Sequence, residues 1–216
     1  MNRIKRDWPR AAAAAGLLVL AAAFLLRFSY STSFLWPGYC GYDSAIFQTI
    51  GKYWAEGSVP YRDLFDHKGP LIFFIDMIGY LLWGRAGILV PQTISLAAAL
   101  FFLYKLGRVY LPRPGATGAA LAALVYLART FDEGNMTEEY ALPFIAASLW
   151  LAARWCEEQK RDPAAPHPWR YAAVYGLSFG AILLLRVTSA VSIGSFVLVI
   201  ALYTLARKQW VTLAKN

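Results

Sequence analysis

Apolar runs recur along this chain at 11–28, 70–83, 87–104, 115–128, 141–153, 171–185 and 190–206, with charged, turn-rich segments between them. A soluble core has no means of covering so many consecutive apolar helix faces, whereas a bilayer covers them at no cost. Only 16% of the 216 residues are charged and 58% are hydrophobic, against about 25% charged in an ordinary soluble domain. The pattern predicts an all-α, polytopic membrane protein with about six transmembrane helices. The net charge of +8 does not point to nucleic acid. The basic residues sit in separate clusters between apolar runs, where they would orient spans.

Residues 1–10 are basic and expected on the cytoplasmic side, and 11–28 reads as an uncleaved first span running outward. The run 70–83 is only 14 residues long and contains Asp76, too short to cross and suited to an interfacial or re-entrant helix. The remaining five runs then alternate in direction, starting inward at 87–104. This choice puts the clusters at 3–10, 105–113, 154–170 and 207–215 on the cytoplasmic side, which agrees with the positive-inside rule. Cys40 and Cys156 then lie on opposite sides, so no disulfide is expected between them. The chain reads as a single transmembrane domain over 1–216, with a first extracytoplasmic loop at 29–86 and a second at 129–140.

The first loop concentrates polar chemistry. From Asp43 to Glu56, Ile46, Phe47, Ile50, Tyr53 and Trp54 follow the spacing of one helix face, which predicts an amphipathic interfacial helix. With 70–83 this makes two interfacial helices in one loop. Asp43 is either the N-cap of the first or a carboxylate acting as general base or metal ligand. Asp66-His67-Lys68-Gly69-Pro70 leads into the second. There Lys68 can present its ammonium to a phosphate at a helix start, or simply snorkel to the surface. His67 titrates near neutrality or ligates a metal, although no ligand set accompanies it. The second loop holds Asp132, Glu133, Glu138 and Glu139, on the side predicted for Asp43. Such acids bind a divalent cation, orient a hydroxyl nucleophile, or collect where basic residues are excluded. Arg186, at the outer end of 171–185, either neutralises these acids or binds an anionic substrate. Asp76 should face protein, water or a headgroup. The chain contains no P-loop, G-x-S-x-G, H-E-x-x-H or C-x-x-C pattern, which argues against the chemistries those motifs serve.

The order of these features resembles the GT-C class of multispan glycosyltransferases, in the bacterial branch with protein mannosyltransferase-like and aminoarabinose-transferase-like members. The residues that carry the likeness are Asp43 at the start of an amphipathic helix and His67-Lys68-Gly69-Pro70-Leu71 before an apolar one. In that class the second motif has an acid where His67 stands and a proline where Gly69 stands, with Asp66 one residue away to supply a carboxylate. An acid before the fourth span is matched by Glu139, with Glu138 as its rival. The resemblance implies a glycosyltransferase of the bacterial inner membrane and cell envelope. It would move a sugar from a polyprenyl-phosphate donor to a lipid, glycan or protein acceptor on the extracytoplasmic face. Asp43 and Glu139 would be catalytic, and Lys68, His67, Asp66, Arg186 and Glu138 would bind substrate. No cofactor is required by this reading. A divalent cation is compatible with it, and the sequence leaves the metal open. Members of that class are about twice as long, so the chain would match the N-terminal half of the fold. The alternative reading is a non-catalytic membrane transporter or a lipid-carrier-binding scaffold built from the same groups.

Overall fold

The computed structural model describes residues 2–39 and 41–207, with side chains described from residue 11 onward. The expectation about a Cys40–Cys156 disulfide concerns a residue outside this set. Among the described residues the protein is all-helical: α1 (Asn2–Phe28), α2 (Asp43–Ala55), α3 (Pro70–Trp83), α4 (Leu89–Tyr110), α5 (Arg113–Thr130), α6 (Thr137–Arg161), α7 (Trp169–Leu185) and α8 (Val187–Ala206), with one 3-10 turn at Ala86–Ile88. The described residues form no strands, only two isolated bridges, at Pro60–Leu64 and Trp83–Arg85.

Three stretches are long and apolar enough to cross a membrane: Ala11–Phe28, Pro70–Tyr110 and Val187–Ala206. That is fewer than the six expected from the hydropathy pattern. The shortfall has a compositional cause. Helix α5 carries Arg113 and Arg129 at its ends and is mostly Ala, Gly and Thr in its first half. Helix α6 has Glu138 and Glu139 in its first turn and Lys160 and Arg161 in its last. Helix α7 is apolar but only 17 residues long. Of the three, α6 is the most covered by its neighbours, while α5 buries only Ala116 and Leu124.

The helices form two joined cores. Leu25 and Phe24 of α1, Leu96 and Leu100 of α4, and Leu124 of α5 make one. Phe47, Ile72, Phe73, Leu151, Ile182 and Ile193, drawn from α2, α3, α6, α7 and α8, make the other. Side-chain pairing sets the helix directions. Ser95 bonds the Glu139 carbonyl and the Phe102 ring meets Trp150, so α4 and α6 run parallel. The Tyr175 ring meets Phe196 edge-on and Phe179 lies beside Gly194, so α7 and α8 form an antiparallel hairpin whose tip is Arg186. Lys105, Arg108, Arg113, Arg154 and Arg161 therefore gather at one end of the bundle, and the 29–42, 131–136 and 185–187 connections at the other.

Helix α3 lies across that second end. Its start is tied to the α7–α8 tip by the Gly69 N–H, which donates to Leu185 O at 3.1 Å. Its middle is tied to the α5–α6 connection through Asp76, which accepts from Asn135 Nδ2 at 2.9 Å. Just beyond its end, Arg85 donates to Ser31 O at 2.5 Å and Tyr30 O at 2.7 Å. Both ends of the helix thus sit at one level of the bundle. Helix α2 crosses α3 at Gly51, where an added Cβ would stand 2.6 Å from Asp76 Cβ and 2.8 Å from the Met77 nitrogen. The obstruction is backbone, so a larger residue must push the helices apart. Replacing Gly51 with Leu should therefore lower stability by about 1–3 kcal/mol. Thermal unfolding of the detergent-solubilised protein measures this, and an unchanged Tm would contradict the close crossing.

Candidate functional site

Helix α2 starts at Asp43 with Tyr42 as the cap residue and no side-chain capping bond. This sets aside the N-cap role for Asp43, because the carboxylate does not close its own helix. It meets Lys68 Nζ at 3.3 Å instead, from an aspartate side chain 46% exposed to a lysine side chain only 6% exposed. The Lys68 ammonium also lies 3.1 Å from His67 Nε2 and 5.7 Å from the centre of the Phe47 ring. Its approach is set by the preceding loop. The Asp66 carboxylate accepts the Lys68 backbone N–H at 2.8 Å, and the Tyr61 hydroxyl donates to Lys68 O at 2.7 Å. His67 Nδ1 is 3.6 Å from Asp66. Asp66, His67, Lys68 and Asp43 therefore form one connected line. On the far side of this loop Asp63 accepts from Arg62 and from the Val59 N–H. Those bonds, Arg62 foremost, hold its carboxyl down at about 2.

Helix α6 supplies the second group. Glu139 Oε1 accepts the Met136 N–H at 2.9 Å and Oε2 accepts from Gln92 Nε2 at 3.0 Å. Both of its oxygens are thus occupied, one by the helix start and one by α4. Glu138 is the more exposed neighbour, and its carboxylate accepts from the Arg186 guanidinium. A cavity of about 450 Å³ brings the two groups together, lined by Asp43, Asp132, Glu138, Glu139 and Arg186 among more apolar neighbours. Lys68 is not in that lining and reaches it through Asp43. His67, at 76% side-chain exposure, and Asp66 lie on the loop behind it. Among the described residues no three His, Cys, Asp or Glu side chains are placed to hold a metal ion.

The sequence reading missed the groups that hold this arrangement. Residues 132–135 are consecutively left-handed, with φ of 44° at Asp132, 74° at Glu133, 84° at Gly134 and 62° at Asn135. For non-glycine residues this costs on the order of 1 kcal/mol or more each, and it persists only where surrounding bonds over-determine it. Here Ser31 donates from its N–H to Glu133 O and from its hydroxyl to Gly134 O. Asn135 is held between Asp76 and the Tyr140 hydroxyl. At Gly134 a Cβ would run into Ser29. Tyr39 donates to the Glu133 carboxylate, which pushes its own hydroxyl up to about 12. Gln92 accepts from Thr32 at 2.6 Å while donating to Glu139. Gln92 is one of several polar residues on α4, beside Thr93 and Ser95, and nothing in the sequence singles it out.

A helical bundle with three stretches long and apolar enough to cross a bilayer places the chain among proteins built to associate with membranes. Within that class, the family model described as Putative competence-induced protein Ccs4 N-terminal domain matches residues 8–212, and the chain belongs to that family. No curated protein and no solved structure matches it.

This overturns the resemblance to the GT-C class, since the family that accounts for nearly the whole chain is a different one. The motif that suggested the likeness has a local explanation. Gly69 packs directly on the Leu184 backbone, where any Cβ would overlap it, and its N–H is bonded to Leu185 O. A proline, the residue expected there from the resemblance, has neither the N–H nor the room. Replacing Gly69 with Pro should cost about 3 kcal/mol or more by combined overlap and bond loss. Replacing Gly118 with Ala, where no atom lies within 4 Å, should be neutral or slightly stabilising. Paired thermal unfolding curves test this, and equal Tm values for the two variants would refute the contact.

Proposed function

We propose that the protein is a multi-pass membrane glycosyltransferase that takes a sugar from a polyprenyl-phosphate donor and passes it to a hydroxyl on the extracytoplasmic face. In this reading α1, α4, α5, α6, α7 and α8 cross the membrane, and α2 and α3 lie at the outer headgroup level. Helix α6, with 25 residues, is about 37 Å long at 1.5 Å per residue, enough for a hydrocarbon core of about 30 Å. The position of α3 across one end of the bundle supports its interfacial placement. The gathering of basic residues at the opposite end supports a cytoplasmic assignment for that end, and with it a cytoplasmic N-terminus in a bacterial plasma membrane.

The observation that carries the reading is the Asp43–Lys68 pair at the edge of a cavity that also holds Glu138 and Arg186. A donor phosphate competes with Asp43 for the Lys68 ammonium. Once it takes that ammonium, the Asp43 carboxylate is freed toward the cavity. Asp43 then accepts the proton of the acceptor hydroxyl while the hydroxyl oxygen bonds to the anomeric carbon. The bond from that carbon to the phosphate oxygen breaks, the electron pair leaves with the polyprenyl phosphate, and Lys68 stabilises the charge. Direct displacement inverts the anomeric centre. Arg186, held by Glu138, is placed to help with the phosphate. Glu139 has both oxygens engaged and acts by positioning α6. The acceptor is a lipid, glycan or protein hydroxyl, and no metal is assigned a step.

Turnover of radiolabelled polyprenyl-phosphate hexoses and pentoses by the purified protein in lipid nanodiscs tests the proposal. Transfer to an acceptor or to water is expected. It should fall about 100-fold or more in Asp43→Asn, while Lys68→Gln chiefly raises the donor KM. Saturable donor binding with no turnover would replace this reading with a lipid-carrier-binding scaffold. Full activity in Asp43→Asn would remove the mechanism.

A further inference from the structure

The opposite end of the bundle holds a second concave site. The last turns of α4, the start of α5 and the last turns of α6 enclose a cleft of about 560 Å³, lined by Lys105, Arg108, Arg113, Arg154 and Arg161. Two acids also line it, Glu157 and Glu158, and each already has a basic partner. Glu157 is bonded to Lys160 at 2.5 Å and Glu158 lies 3.8 Å from Arg154. Among the described residues no carboxylate is paired with Lys105, Arg108, Arg113 or Arg161. These four cations stand around one concavity and repel one another, an arrangement that an anion relieves.

Orientation of spans requires positive charge at this end but does not require it to converge. Convergence here has structural causes. The Trp150 ring lies 5.2 Å from the Lys105 ammonium, holding it against the cleft floor by a cation–π contact. Arg108 donates one N–H to Leu111 O at 2.5 Å, which fixes its guanidinium at the α4–α5 turn and leaves its other donors available. Guanidinium groups so fixed match phosphate oxygens in pairs. A basic pocket between helices at the cytoplasmic side of a membrane is suited to an anionic headgroup.

We infer that this cleft is a binding site for a phosphate-bearing ligand, the phosphodiester headgroup of an anionic phospholipid or a soluble phosphate compound, distinct from the cavity at the other end. Only its assignment to the cytoplasmic face rests on the orientation proposed above. Binding itself does not depend on any transfer activity.

The test uses the full chain in neutral phosphatidylcholine. Native mass spectrometry follows binding of added phosphatidylglycerol, and calorimetry follows inorganic phosphate and pyrophosphate. The cleft variant carries Lys105→Gln, Arg108→Gln and Arg113→Gln. A control variant carries Arg170→Gln and Arg207→Gln, which lie at the same end outside the cleft and leave the Glu157–Lys160 pair intact. Thermal unfolding checks that both variants fold. The expected result is saturable phosphatidylglycerol binding, weakened about fivefold per cation and so about a hundredfold in the cleft variant, and retained in the control. Saturable binding of phosphate or pyrophosphate with the same variant pattern, without a lipid preference, assigns the site to a soluble ligand. Absence of both, or equal loss in the two variants, overturns the proposal.

Discussion

A single buried carboxyl organises the end of the bundle that carries the candidate site. Asp76 lies in the middle of an apolar 14-residue helix and is wholly buried. A carboxyl withdrawn from water costs several kcal/mol unless it is hydrogen-bonded. Its Oδ2 accepts from the Asn135 amide, which in turn accepts from the Tyr140 hydroxyl, while its buried Oδ1 has no hydrogen-bond partner among the described residues. The bond therefore joins α3, the connection before α6 and the first turn of α6. It keeps α3 flat across the helix ends and holds the left-handed run 132–135 in place. Glu138 and Glu139 begin α6 at the position this arrangement dictates, and Asp43 reaches Lys68 because α2 rests on α3.

The energetics of the ion pair follow from this frame. An exposed lysine–aspartate contact is worth about 0–1 kcal/mol. Lys68 is not exposed, so its ammonium relies on Asp43 and His67 in place of water. Separating a buried charge from its partner costs about 3–5 kcal/mol when nothing replaces that partner. The pair is therefore held by the burial of Lys68 more than by that of the half-exposed Asp43. Glu139 contrasts with it. Its two oxygens are committed to the Met136 N–H and to Gln92, which makes it part of the frame.

Much of the architecture was legible in the sequence. Helical spacing from Ile46 to Trp54 located α2, and the charge of the loops sorted the helix ends. The number of spans was less legible. Short apolar runs were read as spans, whereas α5 and α6 carry charges in their end turns and α7 has only 17 residues. The candidate residues Asp43, Lys68, Glu138, Glu139 and Arg186 stood out as charges between apolar runs. Asn135, Ser31 and Gln92 did not, because a neutral side chain bonding across 40 to 100 residues leaves no periodic trace. The family was misjudged on Lys68-Gly69-Pro70-Leu71, since a four-residue string cannot distinguish shared ancestry from a glycine demanded by the Leu184 backbone.

The direction of the helices has an electrical consequence. Helices α2, α3, α6 and α8 all begin at the end bearing the candidate site, and α4 and α6 finish at the other. Peptide dipoles add along each helix to roughly half a positive elementary charge at the start and half a negative one at the finish. Asp43, Glu138 and Glu139 thus stand in first turns, and Arg108 and Arg161 in last turns, each against a helix end of opposite sign. Side chains and backbone partly cancel at both ends. At the cavity beside Asp43 the finishing ends of α5 and α7 offset the starts of α2 and α6, so its charge is set by the side chains that line it.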